Sequence, residues 1–282
     1  MYKVSQNRHN VFPLHANYHP PQTNSPTLSN SREAHGATLQ GKTALVTGGA
    51  RRIGAAISRH LHGAGANVAI HYRSSGSEAR QLRDTLVGRR AGSAEIFQAD
   101  LTDLQQLHAL VDSVSAWRNG LDVLVNNASS FYPTPLGRIT EDDWQDLVDT
   151  NLKAPLFLAQ AAWPSLRARH GAIVNLIDIH AKRPLRDHAV YGSAKAGLEM
   201  LTRTLAREMA PGVRVNGVAP GAILWPEQGM TEEMKQKILS RIPLERGGDP
   251  EDIAGCVLYL VRDAAYVTGQ VIAIDGGRSI GW

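Results

Sequence analysis

The run Thr43-Ala44-Leu45-Val46-Thr47-Gly48-Gly49-Ala50-Arg51-Arg52-Ile53-Gly54 passes from a short apolar stretch, through glycines, into a pattern of helical period. Thr43 to Thr47 reads as a buried strand, and Ile53, Ala56, Ile57 and Leu61 recur on one helical face as far as Gly63. Strand, glycine turn and helix in that order make a phosphate site. Glycine lets the backbone come close to a pyrophosphate, and the amino terminus of the helix attracts negative charge. Gly48, Arg52, Ile53 and Gly54 are therefore candidate cofactor residues.

Outward from this turn the same alternation continues. Strands are expected at Asn67 to Tyr72, Ala94 to Gln98, Asp122 to Asn126, Ala172 to Ile177, Arg214 to Ala219 and Gln270 to Asp275. Helices are expected at Ser77 to Val87, Asp103 to Trp117, Val190 to Met209 and Ile253 to Val261. Asp142 to Arg169 reads as one long helix, broken or bent near Pro155 and Pro164. The pattern predicts a single α/β domain over residues 41–282, a Rossmann-type doubly wound parallel sheet of about seven strands flanked by helices. Residues 1–40, with Pro13, Pro20, Pro21, Pro26 and no sustained period, read as a disordered leader.

Composition narrows the function. The net charge of +4 draws half its excess from the leader, where Lys3, Arg8 and Arg32 face Glu33, so the folded part is only mildly basic. No Lys/Arg stripe with interleaved aromatics calls for nucleic acid. No apolar run is long enough to span a bilayer and no signal peptide opens the chain, so the expected compartment is the cytoplasm. The single cysteine, Cys256, lies in an apolar helical pattern and reads as a buried structural thiol. The leader's histidines are too irregular for a metal site, and no metal is expected.

Two stretches carry chemistry. Tyr191 and Lys195 stand four apart in an expected helix, so both side chains rise from one face. An ammonium beside a phenol is expected to pull the phenol down from its usual value of about 10. Asp178 lies at the carboxyl end of the preceding strand, where open α/β sheets place their chemistry. The second stretch is His71-Tyr72-Arg73-Ser74-Ser75 at the end of the second strand. A carboxylate there would accept from a ribose 2′-hydroxyl, but none occurs before Glu78, and Arg and Ser donors suit a 2′-phosphate. The expected cofactor is NADPH.

Together the glycine turn and the Tyr-x-x-x-Lys pair resemble the short-chain dehydrogenase/reductase family over about residues 41–282. That family's glycine fingerprint is Thr-Gly-x-x-x-Gly-x-Gly, and here Arg52 stands at its middle glycine. Asn126-Asn127-Ala128-Ser129 resembles the family's Asn-Asn-Ala-Gly run, with Ser129 in place of glycine. The resemblance implies adenine contacts at Asp100-Leu101, a catalytic asparagine at Asn151, and carboxamide contacts at Pro220-Gly221. Asp100 could equally cap the next helix, with Asp103 the better cap, and Asn151 could equally serve helix packing. Thirteen residues before the tyrosine the family usually has serine, and this chain has Asp178. That change, with Arg52 and Ser129, is similar to the pteridine reductase branch.

The reaction so implied is hydride transfer from NADPH to a pterin of the dihydrobiopterin, dihydrofolate or dihydromonapterin class, with protonation of the adjacent ring nitrogen. Tyr191 is the implied donor, Lys195 also holds the nicotinamide ribose, and Asp178 supports donation. An ionised aspartate only accepts hydrogen bonds, which suits a ring N–H or amino group better than a carbonyl oxygen. Arg52, Ser129 and Phe131 complete the implied pterin site, with Phe131 either stacking a flat ring or anchoring its loop. Residues 222–240 are the expected substrate lid, with Trp225 on its inner side. Relatives of this kind imply a homotetramer. Two other readings stay open: a short-chain carbonyl or 3-oxoacyl-thioester reductase, and a non-catalytic NADPH-sensing protein.

Overall fold

The computed structural model describes residues 38–224 and 231–280, all within the unit Gly36–Trp282. Seven strands form one sheet: β1 (Thr43–Val46), β2 (Asn67–Tyr72), β3 (Ala94–Gln98), β4 (Val123–Asn126), β5 (Ala172–Leu176), β6 (Arg214–Pro220) and β7 (Val271–Ile274). Their order is β3-β2-β1-β4-β5-β6-β7, and every neighbouring pair is parallel. Leu45 lies level with Ala69 on one side and Leu124 on the other. The chain steps outward from β1 to β3, then crosses to β4. The connections after β1 and β4 therefore leave on opposite courses, and a crevice opens at their carboxyl ends.

The described residues hold eight α-helices, α1 (Arg52–Gly63), α2 (Gly76–Arg89), α3 (Leu104–Arg118), α4 (Glu141–Val148), α5 (Ala154–Ala168), α6 (Ala189–Glu208), α7 (Glu232–Leu239) and α8 (Pro250–Arg262), of which α1, α2, α3, α5, α6 and α8 pack on the sheet. Successive residues of a strand point to opposite faces, which splits the core in two. Ala44 and Val46 pack with α1, α2 and α8, whereas Leu45 packs with α3, α5 and α6. Both faces are covered, as the near-continuous apolar strands demand. Cys256 is buried in α8, and burial pushes its thiol up to about 11. No helix among the described residues is long and apolar enough to cross a membrane.

Helix ends follow local chemistry. Asp103 caps α3, its carboxylate accepting from the Gln105 amide at 2.8 Å, and Thr140 with Asp143 forms a reciprocal capping box on α4. The expected long helix from Asp142 to Arg169 is two helices. A π-helical turn over Asp149–Lys153 separates α4 from α5, so the interruption falls at Asn151 and not at a proline. Pro155 sits in the first turn of α5, directly after the π-helical turn, and Pro164 lies inside α5. Extra turns of this kind are inserted where a side chain must be re-aimed, and they gather at functional sites.

A buried polar ladder lies beneath the crevice. Asn126 on β4 donates to Asn175 on β5 at 2.8 Å, and Asn175 donates to Thr202 on α6 at 2.9 Å. Unmade, each of these buried bonds would cost about 1–3 kcal/mol. The ladder therefore fixes the register between the sheet and the helix that carries Tyr191.

Candidate active site

The glycine turn is held from three sides. Gly48 has φ +58°, and a Cβ on Gly54 would stand 2.2 Å from the Gly48 carbonyl oxygen, so the turn closes only without side chains. Asn127 donates its amide to the Thr47 and Gly48 carbonyls at 2.9 and 3.1 Å. Thr47 Oγ1 accepts from the Asn127 and Ala128 amides. His71 completes the brace: its Nδ1 accepts from the Gly48 amide at 3.1 Å and its Nε2 donates to the Ala99 carbonyl at 3.1 Å. Burial pushes this imidazole down to about 4, so it is neutral. Both ring nitrogens are engaged. His71 and the Asn127 side chain thus shape the expected cofactor pocket from behind.

In front of the turn lies a cleft of about 360 Å³, lined by Gly48, Arg51 to Gly54, His71 to Ser75, Asp100 to Thr102, Asn127 to Ser130 and Thr150. The expected cofactor residues from Gly48 to Ser129 are on that wall, whereas Tyr191, Lys195, Pro220 and Gly221 are not. Three features of the wall suit a dinucleotide. The amino terminus of α1 carries no side-chain cap and no acidic residue in its first turn, leaving amide donors for a phosphate. Three arginines, Arg51, Arg52 and Arg73, line the cleft against one carboxylate, Asp100. Asp100 is itself occupied, accepting from the Thr102 amide at 3.0 Å and its hydroxyl at 2.7 Å, and the first of these leads in holding it below the usual carboxylate range. The residues suit an anionic, two-phosphate ligand with no acid at the β2 end to repel a third.

Arg52 takes φ +50°, the left-handed region that favours glycine. Holding an arginine there costs about 1–2 kcal/mol relative to a relaxed backbone. The side chain is exposed at the cleft wall.

Beyond the cleft, α6 brings the remaining candidates together. Asp178 follows β5 and caps a single 3₁₀ turn (Ile179–Ala181), its Oδ1 accepting from the His180 amide at 2.8 Å. Its Oδ2 accepts from the Tyr191 hydroxyl at 2.8 Å. The Phe131 ring stands edge-on to Tyr191 with centroids 4.8 Å apart. Ser129 donates to Asn151 Oδ1 at 2.6 Å, and Asn151 returns its amide to the Ser130 and Leu147 carbonyls, both at 2.9 Å. Asn151 therefore ties the Ser129 loop to the π-helical turn.

The expected electrostatics of Tyr191 are overturned. Burial and then the Asp178 charge push the phenol above its ordinary value, and the Ser129 hydroxyl offsets only part of this. Lys195 does not bond to it. The ammonium donates to the Leu176 carbonyl at 2.8 Å and lies 5.7 Å from the centre of the tyrosine ring. Burial brings Lys195 down to about 8, with the Asp178 charge opposing that fall. Spacing did place both side chains on one face, but desolvation outweighs their attraction. The phenol is a firmly protonated donor aimed at a carboxylate.

Other candidates lie elsewhere. Pro220 and Gly221 end β6 against Asp275, where a Cβ on Gly221 would stand 2.6 Å from Asp275 Cβ, and neither lines the cleft. Trp225 and residues 225–230 of the expected lid fall outside the described residues, as do residues 1–37. Several contributors escaped the sequence reading. Thr47, Asn175 and Thr202 look like ordinary strand and helix residues, and only their burial as polar groups marks them. Half-buried Arg278 is lowered by burial and raised in part by the Asp178 charge, a pairing across a hundred residues that no spacing reveals.

Comparison with known proteins agrees with this geometry. Residues 48–279 match the family model described as enoyl-(acyl carrier protein) reductase. The chain is 40% identical over 240 residues to a 3-oxoacyl-(acyl-carrier-protein) reductase FabG of Staphylococcus aureus, covering 84% of this chain and 97% of that one. It is 36% identical over 278 residues to pteridine reductase 1 of Leishmania tarentolae, covering 84% and 96%. Among solved structures, a blue fluorescent protein from a metagenomic library in complex with NADPH superposes with a TM-score of 0.81 at 36% identity, covering 86% of this chain and 99% of that one. The crevice, its glycine turn and the Tyr191–Lys195 pair thus belong to an oxidoreductase, and this chain is a member of the short-chain dehydrogenase/reductase family.

Proposed function

We propose that the chain is an NADPH-dependent pteridine reductase, reducing a dihydropterin or dihydrofolate to its tetrahydro form. The observation that carries this reading is the 2.8 Å bond from Tyr191 to the Asp178 carboxylate. A carboxylate at that position cannot donate to a carbonyl oxygen, so it offers nothing to a developing oxyanion. It can accept from a ring N–H or a 2-amino group, through lone pairs that the Tyr191 and His180 donors leave free.

NADPH, when bound, supplies the hydride, and the fold of the NADPH-complexed neighbour supports that choice. The chain's own groups do the rest. Amides at the start of α1 would hold phosphate, joined by Arg51 if it leaves its 3.3 Å pairing with Glu78, and Arg73 with Ser74 would receive the 2′-phosphate. Arg52, exposed on the cleft wall, would supply a guanidinium to cofactor phosphate and substrate. Asp178 anchors the heterocycle by its N–H edge. Tyr191 delivers its hydroxyl proton to the ring nitrogen beside the carbon that is reduced, leaving a phenolate. The buried Lys195 ammonium offsets that new negative charge. Pro220-Gly221, residues 222–240 as lid, Trp225 and a homotetrameric assembly belong to the same proposal.

A second reading, 3-oxoacyl-thioester reduction, is favoured by overall similarity, since the FabG relative stands at 40% identity against 36% for the pteridine reductase. Identity over a whole chain follows the scaffold, whereas substrate follows a few side chains. NADPH oxidation separates the two readings. Pteridine reduction predicts turnover of dihydrobiopterin or dihydrofolate with acetoacetyl thioesters left largely untouched, and the reverse selects the second reading.

A further inference from the structure

The Phe131 ring is not a free platform. Its second contact is His188, whose imidazole stacks on it with centroids 4.7 Å apart and planes 20° from parallel. His188 lies three residues before Tyr191, so Phe131 meets both rings, stacked on the first and nearly perpendicular to the second. The imidazole is held in place. Nδ1 donates to the Arg186 carbonyl at 2.7 Å, which fixes the ring plane. The backbone is pinned as well, because His188 bridges in parallel to buried Thr134, whose amide donates to the Asp187 carbonyl at 2.6 Å. Phe131 remains 54% exposed, so more than half of its surface is still reachable with the imidazole stacked on it.

A phenyl ring covered on one face offers a single stacking surface. We propose that His188 is a positioning residue for flat heteroaromatic substrates, bracing Phe131 so that its open face is presented beside the Tyr191 hydroxyl. The stack then runs imidazole, phenyl, substrate. Offset stacking of this kind contributes on the order of tenfold in binding per ring pair, and bracing preserves it by removing the rotamers that Phe131 would otherwise explore. A small aliphatic ketone has no face to stack and gains nothing from the brace.

The inference rests on the pterin reading for its substrate, and the test separates the two. With NADPH-loaded protein, KM and kcat are measured for dihydrobiopterin, together with the Kd of a non-reacting 2,4-diaminopteridine, for wild type, His188→Ala and His188→Phe. The expected result is a five- to tenfold rise in KM and Kd for His188→Ala, kcat within about twofold, and recovery in His188→Phe. An unchanged Kd in His188→Ala, or a fall in kcat not recovered in His188→Phe, overturns the inference. Wild type that binds the diaminopteridine in a His188-dependent way but reduces no pterin keeps the brace and removes the pterin reduction. Wild type that does neither removes both.

Discussion

At the scale of single residues, Asp178, Tyr191 and Lys195 divide the work unevenly. Tyr191 is raised by burial and by the Asp178 carboxylate, so in this state it holds its proton tightly and gives it up only where a new base is pressed against it. Tyr191→Phe removes that proton and is expected to lower kcat by about a hundredfold or more while leaving NADPH binding in place, measured by single-turnover kinetics and cofactor titration. Lys195 sets the pH range. Burial holds it at about 8, so its charge, which stabilises the phenolate, is present below that value and lost above it. The predicted kcat falls as pH rises through about 8, and a flat profile from pH 7 to 9.5 would contradict this role. Arg52 separates stability from function. Arg52→Gly relaxes the φ +50° backbone, so the thermal midpoint should hold or rise while substrate KM increases about tenfold with the loss of a charged donor. The grouping of Asp178, Tyr191 and Lys195, and the place of Arg52 and Ser129 on the cleft wall, were legible from the sequence because motif spacing fixes which positions share a strand end, a turn or a helix face. The direction of the Tyr191 shift was not, because desolvation depends on what covers the ring.

At the scale of elements, the turn after β1 is a junction held by β2, β3 and β4 through His71, Ala99 and Asn127. His71 gives this junction a pH signature. Its folded value of about 4 lies below the unfolded value of about 6.5, so between these the unfolded chain binds the extra proton. Stability therefore falls as pH drops from 6.5 to 4, by roughly 3 kcal/mol in all. Urea unfolding of wild type and His71→Asn at pH 7 and pH 4.5 checks this, and an equal loss in both proteins would assign the effect to other groups. All seven strands and most helices were readable because apolar runs and glycine punctuation reflect burial on both faces of the sheet. The π-helical turn at Asn151 was not readable. Nothing in Asp149 to Lys153 breaks helical period, and the prolines nearby point to the wrong place.

For the whole molecule, the strand order places a crevice between the β1 and β4 connections, with the glycine turn on the wall of the cleft there and the Asp178–Tyr191 pair beyond that cleft, at the β5 end. Arginines on the cleft wall outnumber carboxylates, which favours an anionic ligand, and Arg73 with Ser74 at the β2 end is the proposed seat of a 2′-phosphate. The relatives' names span 3-oxoacyl-carrier-protein and pteridine reductases on one scaffold, so the choice of substrate falls to a few side chains. The measurement that bears most directly on the choice is kcat/KM for dihydrobiopterin and for an acetoacetyl thioester, with NADPH, in wild type and Asp178→Ser side by side. A carboxylate that selects a nitrogen heterocycle predicts that wild type prefers the pterin and that Asp178→Ser loses at least about a hundredfold on it without losing thioester activity. Wild type that prefers the thioester, or an Asp178→Ser variant that keeps the same preference, would contradict it.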